Sequence, residues 1–418
     1  MKESEIIVSL NEILSQAEIY EGMLGAKMQR KGCVRFSRYF ERIDKHYCFV
    51  LSEEHADLYR KTFWGIFNTG SIKEKYTIKY IENQLNTFLI RLKVQDGSVD
   101  KRKYSKFYNK LNMATEEKVS VIHPLYGVAV TSDEPLSIGC FTLYNSSTHK
   151  EKLLAAMDYK SEEDLFLDIE EFANQPTWIS TQVQTVDLDK AYELACDRFE
   201  VFQGVCQFIL DLKGYNAHAV CILNDVHQMF NRCLVVSSSE KFDKFNKDIR
   251  RFKDVNIGVL IEDIGHIFVP ILERLFVSEK NEINNRTRNA FTTYGRIIHE
   301  HTNAQKLVMY ITVIESLIEY NSPDLTEEIS SYISAMLCDN LKDYEITKEH
   351  FKFIYNLRSE ISHGSRTNVL GGDLAYAKAY CAELILKYIT DKEIEMVSKS
   401  KDLKAVLESK VKRLEVLS

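Results

Sequence analysis

From about Asp263 to the end, nearly every segment of this 418-residue chain repeats its apolar side chains at helical spacing. Candidate helices cover 263–277, 280–300, 303–320, 325–341, 347–363, 373–390 and 399–416, with Pro323 at one turn and Gly371-Gly372 at another. Connections this short make consecutive helices antiparallel neighbours, so the segment predicts a compact helical bundle. The 303–320 segment is apolar almost all round (Leu307, Val308, Met309, Ile311, Val313, Ile314, Leu317, Ile318), which marks it as the central, buried helix. The last segment, Lys399 to Leu417, sets Leu403, Leu407, Val411 and Leu414 against a lysine-bearing face. It is expected to pack on its own bundle.

The first part of the chain has a different texture. Residues 3–23 show helical spacing through Ile6, Leu10, Ile13, Leu14 and Ala17. Tyr47–Leu51, Val119–Ile122, Tyr126–Val130, Cys140–Tyr144 and Trp178–Val186 are rich in β-branched and aromatic residues and read as strands, with Cys233–Val236 a shorter one. Lys150–Met157 and Asp187–Leu212 read as helices. The expected fold class is therefore α+β in an N-terminal domain, residues 1–262, followed by an all-α bundle, residues 263–418. The first domain carries no motif tied to chemistry and is expected to regulate or sense.

Composition narrows the possibilities. Hydrophobic residues at 45% and charged residues at 28% are ordinary for a soluble globular protein. Five prolines and sixteen glycines argue against long disordered linkers. The start, Met-Lys-Glu-Ser-Glu, lacks a signal-peptide pattern, and no apolar run approaches the roughly 20 residues of a membrane span. The expectation is a cytoplasmic protein without a membrane partner. Nine cysteines lie singly with no C-x-x-C pair, so reduced structural thiols are expected. His299 and His301 flank Glu300 but point to different faces of a helix, and no metal site is expected there. Glycine-rich phosphate loops are absent, and no cofactor is implied. A formal charge of −7 disfavours broad nucleic-acid binding while leaving room for a small cationic patch, for which Lys352, Arg358 and Arg366 are the nearest candidates.

Residues 355–364, Tyr-Asn-Leu-Arg-Ser-Glu-Ile-Ser-His-Gly, hold the chemistry. Arg358 is a permanent cation suited to phosphate, and His363 can move a proton near neutral pH. Together they meet the minimum for cutting RNA without a metal: base, acid and stabilisation of the charged phosphorane. Spacing alone is not distinctive, because Arg296-Ile-Ile-His-Glu-His301 repeats it; that copy, in a charged and polar stretch, reads as solvated surface. The copy at 358–363 is backed by an apolar stripe of Phe351, Ile354, Leu357 and Ile361 and followed by Gly364, a natural helix stop. Thr347 is the expected N-cap, with Glu349 in the first turn. On an unbroken helix Arg358 and His363 point about 140° apart, so a closed site needs the helix end or a second subunit. Structural roles, in which arginine and histidine serve the helix C-terminus, remain open at this point. Glu315 lies on the buried 303–320 helix and its carboxylate needs a partner; Arg358 is the attractive one, while a structural pair elsewhere or a solvent-reaching edge stays open. Tyr355 and Asn356 flank the motif as possible RNA contacts, Tyr355 by stacking or as core filler, and Arg366 as a possible phosphate ligand.

Leu357-Arg-Ser-Glu-Ile-Ser-His-Gly364, with Ile314-Glu-Ser-Leu317 and Glu327-Glu-Ile-Ser330 upstream, resembles the signature of HEPN domains, most closely the Apea-like branch. The resemblance spans roughly residues 280–390. It implies an all-helical, homodimeric, metal-independent endoribonuclease of bacterial antiviral defence, with Arg358 and His363 as the catalytic pair and RNA as substrate. In that setting the protein acts in abortive infection as a toxin, and a phage-encoded trigger is a possible partner. The position after the motif arginine, commonly Asn, Asp or His in active members, is Ser359 here, which still offers a hydrogen-bond donor in a supporting role. The tyrosine of nucleotidyltransferase-regulated HEPN toxins is replaced by Ser365, which sets that subfamily aside. The alternative implied is a HEPN fold without catalysis, serving as a dimerisation or ligand- or RNA-binding module.

Overall fold

The computed structural model describes residues 1–21, 33–40, 45–157, 177–215, 220, 232–236, 241–245, 255–277, 281–318 and 324–416. They form two compact units, Met1–Val121 with Gln182–Ala195, and Ile122–Thr181 with Cys196–Ser418. The boundary expected at 262/263 lies inside the second unit, because the 196–212 helical segment and the 122–181 strands belong with the bundle.

The first unit opens with α1 (Glu3–Gln16), which buries Ile6, Leu10 and Ile13 at its helical spacing. The helix stops at Gln16, earlier than expected. Residues Glu18–Glu21 form β1, the edge of a three-stranded antiparallel sheet with β2 (Cys33–Phe40) and central β3 (Lys45–Ser52). The rest of the expected helix, 22–23, lies outside the described residues. Four helices then follow that the strand-rich texture hid: α2 (Glu53–Phe67), α3 (Ile72–Lys75), α4 (Ile78–Val94) and α5 (Lys101–Asn112). Thr77 and Asp100 cap α4 and α5 by accepting from Tyr80 N and Lys103 N. Ile66, Ile81, Leu85 and Leu89 join the core around Phe49 and Leu51. Asp187 holds the 182–195 segment to this unit by accepting from the Thr77 amide at 2.9 Å and its hydroxyl at 2.8 Å.

Strands appear where the sequence places them, at 119–122, 126–130, 140–144, 178–186 and 233–236, and also at 136–138, 241–245 and 255–256, where it marked none. They are β4 (Glu117–Pro124), β5 (Val128–Ala129), β6 (Leu136–Ile138), β7 (Phe141–Asn145), β8 (Thr177–Thr185), β9 (Arg232–Val236), β10 (Lys241–Phe245) and β11 (Val255–Asn256). In the second unit β7 runs antiparallel to β6 and β8, with Leu143 opposite Leu136 and Ile179. Helices α6 (Lys150–Ala156) and α7 (Leu188–Leu212) also match expectation.

The bundle comprises α8 (Ile257–Val277), α9 (Glu282–Arg296), α10 (Asn303–Leu317), α11 (Leu325–Leu337), α12 (Leu341–Ser362), α13 (Gly371–Thr390), the short α14 (Lys392–Glu395) and α15 (Ser400–Val416). The starts of α9, α10, α11 and α12 are set by side-chain caps: Asn281, Thr302, Asp324 and Asn340 accept from amides two or three residues on. The expected turn proline, Pro323, lies outside the described residues. Central α10 buries Leu307, Ile311, Val313, Ile314 and Leu317 and packs against α9, α12 and α13. The C-terminal α15 packs on α11 through Leu403, Leu407 and Leu414, as expected. Its polar side is tied down by Lys404 to Glu328 at 2.8 Å and Lys410 to Asp391 at 2.6 Å. Among the described residues no helix is long and apolar enough to cross a membrane.

Candidate functional site

The motif sits at the end of α12. Phe351, Ile354 and Leu357 are buried and Ile361 half-buried, so the predicted stripe faces the core. Burying each large apolar side chain contributes about 1.5–3 kcal/mol, which fixes the rotation of the helix. Its start differs from expectation. Asn340, not Thr347, is the N-cap, and Glu349 lies well inside the helix. The extra turns form because Tyr344 finds a buried place beside Ala335 and Leu414.

The helix ends as the glycine predicts. Gly364 adopts φ +76°, a conformation that costs other residues about 1–2 kcal/mol. Its amide donates to the Ile361 carbonyl at 3.0 Å, and the Ser365 amide reaches back to Glu360 at 3.0 Å. This double closure is a Schellman motif, with His363 as the C-cap residue. His363 is exposed at the helix end.

Arg358 faces the other way. Its Nη2 donates to Glu315 Oε2 of α10 at 3.3 Å, and Tyr355 donates its hydroxyl to Glu315 Oε1 at 2.8 Å. The Arg358 guanidinium also lies 6.0 Å from the Tyr355 ring centroid. The Glu315 side chain is 13% exposed and that of Arg358 30%. Of the environments open to Glu315, the Arg358 pairing is therefore the one present. Its geometry is uneven, because charge-assisted bonds normally run about 2.7–2.9 Å. Tyr355 holds the carboxylate firmly; Arg358 rests on it loosely. Arg358 Nε is shielded from water and meets no acceptor among the described residues.

Two candidate RNA contacts are engaged within the chain. Tyr355 is buried, with its hydroxyl spent on Glu315, so it has no open face for a base and acts as a buttress. Arg366 donates to the Glu360 carboxylate at 3.1 Å and the Asn368 carbonyl at 3.1 Å, folding back over the helix end. Asn356 is exposed on the outer face of α12, and Ser359 is half-buried between Arg358 and the helix end. Lys352, the third candidate cation, meets Glu327 and Glu349 at 2.7 Å each. All three cations near the motif are thus matched by carboxylates within this chain.

The second Arg-x4-His copy is more than solvated surface. Helix α9 gives way at Arg296 to a 3₁₀ turn, Ile297–His299. Arg296, His299 and Glu300 line a cleft of about 360 Å³ with Glu200 and Gln203, and Arg296 pairs with Glu200 at 2.6 Å. The cleft forms because Gly204 and Gly295 let the two helix backbones touch: a Cβ on Gly295 would stand 2.9 Å from Gly204 Cα. Sequence spacing carries no signal for that crossing.

Compared with protein-family profiles, curated proteins and solved structures, the chain finds no match.

Proposed function

We propose that the chain is a metal-independent endoribonuclease of the HEPN type, acting in bacterial anti-phage abortive infection. In this reading His363 moves the proton as general base or acid and Arg358 stabilises the charged phosphorane. The observation that carries it is the helix end. A Schellman turn holds an exposed histidine five residues beyond an arginine whose hold on its own carboxylate is long enough to exchange for a phosphate.

The two side chains leave α12 on different faces, so one protomer presents its histidine outward while its arginine stays against α10. A second copy across a two-fold axis supplies the missing neighbour. The outer surface of the helix pair supports that arrangement, because Ile346 and Phe353 of α12 are exposed, with exposed Tyr376 of α13 beside His350.

One observation favours the other reading, a non-catalytic dimerisation or binding module: Arg358, Arg366 and Lys352 all pair with carboxylates in cis. Product analysis separates the two. The ribonuclease leaves 2′,3′-cyclic phosphate and 5′-hydroxyl ends in the presence of EDTA and arrests growth when expressed. A chain that forms no such ends under phage challenge, and protects equally well as His363→Ala, is the binding module.

A further inference from the structure

Helix α5 of the first unit reads Lys-Arg-Lys-Tyr-Ser-Lys-Phe-Tyr-Asn-Lys-Leu-Asn, with five cations and no acid, in a chain whose net charge is −7. Lys101, Arg102, Lys103, Lys106 and Lys110 are all exposed, and none forms an ion pair among the described residues. At 100° per residue, Arg102, Lys106, Lys110 and Lys103 fall within an arc of about 100°. Arg102, Lys106 and Lys110 form a row with about 6 Å between steps along the axis.

The placement works against the helix itself. Three cations occupy the first turn, where the macrodipole favours anions, and the i, i+4 pairs 102–106 and 106–110 are like-charged. Two carboxylates close by are already engaged: Asp100 caps the helix by accepting from Lys103 N at 2.7 Å, and Glu3 accepts from the Ser105 hydroxyl at 3.3 Å. A row of cations held at a cost and left without counter-charge in cis fits a linear polyanion supplied from outside.

We propose that this face of α5 is a docking strip for the sugar–phosphate backbone of single-stranded RNA, read without regard to sequence. The choice of RNA rests on the ribonuclease reading above. A lipid surface fits less well, because the apolar side of α5 is already used: Tyr104 and Leu111 are buried in the core of the unit, and Phe107 stacks on Phe88 at 4.7 Å.

The test measures binding of a fluorescein-labelled 20-nucleotide oligouridine to the full chain carrying His363→Ala, across a salt series, with and without Arg102→Gln, Lys106→Gln and Lys110→Gln. The glutamine changes keep helix propensity and remove like charges, so the triple variant should fold, as checked by circular dichroism. The expected result is at least tenfold weaker binding near 50 mM salt and a salt slope shallower by about 2, from roughly 0.7 per released phosphate contact. Equal affinity in the triple variant overturns the proposal, as does binding to phosphatidylserine vesicles without binding to RNA. The two readings fail separately. Charge-dependent RNA binding by the His363→Ala chain with no cleavage by wild type sinks the ribonuclease and spares the strip; cleavage of long RNA with unchanged KM when the three glutamines are placed in the chain that retains His363 does the reverse.

Discussion

Glu315 and Arg358 meet across α10 and α12 at 3.3 Å, and the carboxylate is positioned less by the arginine than by Tyr355 on its other oxygen. A largely shielded carboxylate with one firm and one loose partner holds a guanidinium in place without immobilising it. That relationship ties the stability of the bundle to the readiness of the candidate site.

Removing the carboxylate should therefore cost stability. Glu315→Ala strands the Tyr355 hydroxyl and the Arg358 guanidinium, a loss of about 1–3 kcal/mol. Glu315→Gln keeps an acceptor for Tyr355 and should cost less. Thermal melts of the three proteins check this; an alanine variant that melts with wild type would show that the contact holds nothing.

The outer face of α12 gives a second expectation. Phe353→Asp places a charge on an exposed aromatic of the proposed two-fold contact. Sedimentation velocity should show a wild-type dimer and a monomeric variant, with RNA cleavage lost in the variant. A wild type that sediments as a monomer while cutting RNA would remove the composite site from the account.

Gly364 isolates the conformational part of the helix end. A Cβ at this position meets nothing within 4 Å, so Gly364→Ala changes backbone strain and little else. Urea unfolding should show a loss of about 1–2 kcal/mol, smaller for Gly364→Asn, which tolerates positive φ better. Equal stability of all three proteins would contradict the Schellman assignment.

His123 supplies a pH dependence away from the motif. Burial lowers its pKa below the usual histidine value, against the opposing pull of the Pro124 carbonyl at 2.9 Å. The folded state then binds the proton less readily than the unfolded chain. Stability present above pH about 6.5 declines as the pH falls below it. The difference in melting temperature between pH 7.5 and pH 5.5 should shrink in His123→Gln. An unchanged difference would mean that this imidazole is solvated.

Helical periodicity located every bundle helix except the short α14, since a stripe such as Phe351, Ile354 and Leu357 is written directly into spacing. Gly364 announced the helix stop because only glycine takes φ +76° without penalty. Helices α2, α4 and α5 escaped because tyrosine and phenylalanine suit strands as well as helix cores, and tertiary packing decided between them. The same limit applied at the site. That Glu315 is largely shielded was readable from its row on α10; that Tyr355 turns inward to it, and that Arg366 and Lys352 close on acids of the same chain, depends on how the helices cross. The cleft beside Arg296 depends on the Gly204–Gly295 contact, a pair 91 positions apart with no local signature.

The central claim is that Arg358 and His363 cut RNA together. The direct measurement is single-turnover cleavage of a labelled RNA in EDTA by wild type, Arg358→Ala and His363→Ala, with melting temperatures alongside. The account predicts that wild type cleaves and that each variant is slower by a factor of about 10²–10⁴, with His363→Ala melting like wild type because its side chain is exposed. Cleavage by His363→Ala at the wild-type rate, or cleavage abolished by EDTA in all three, would contradict it.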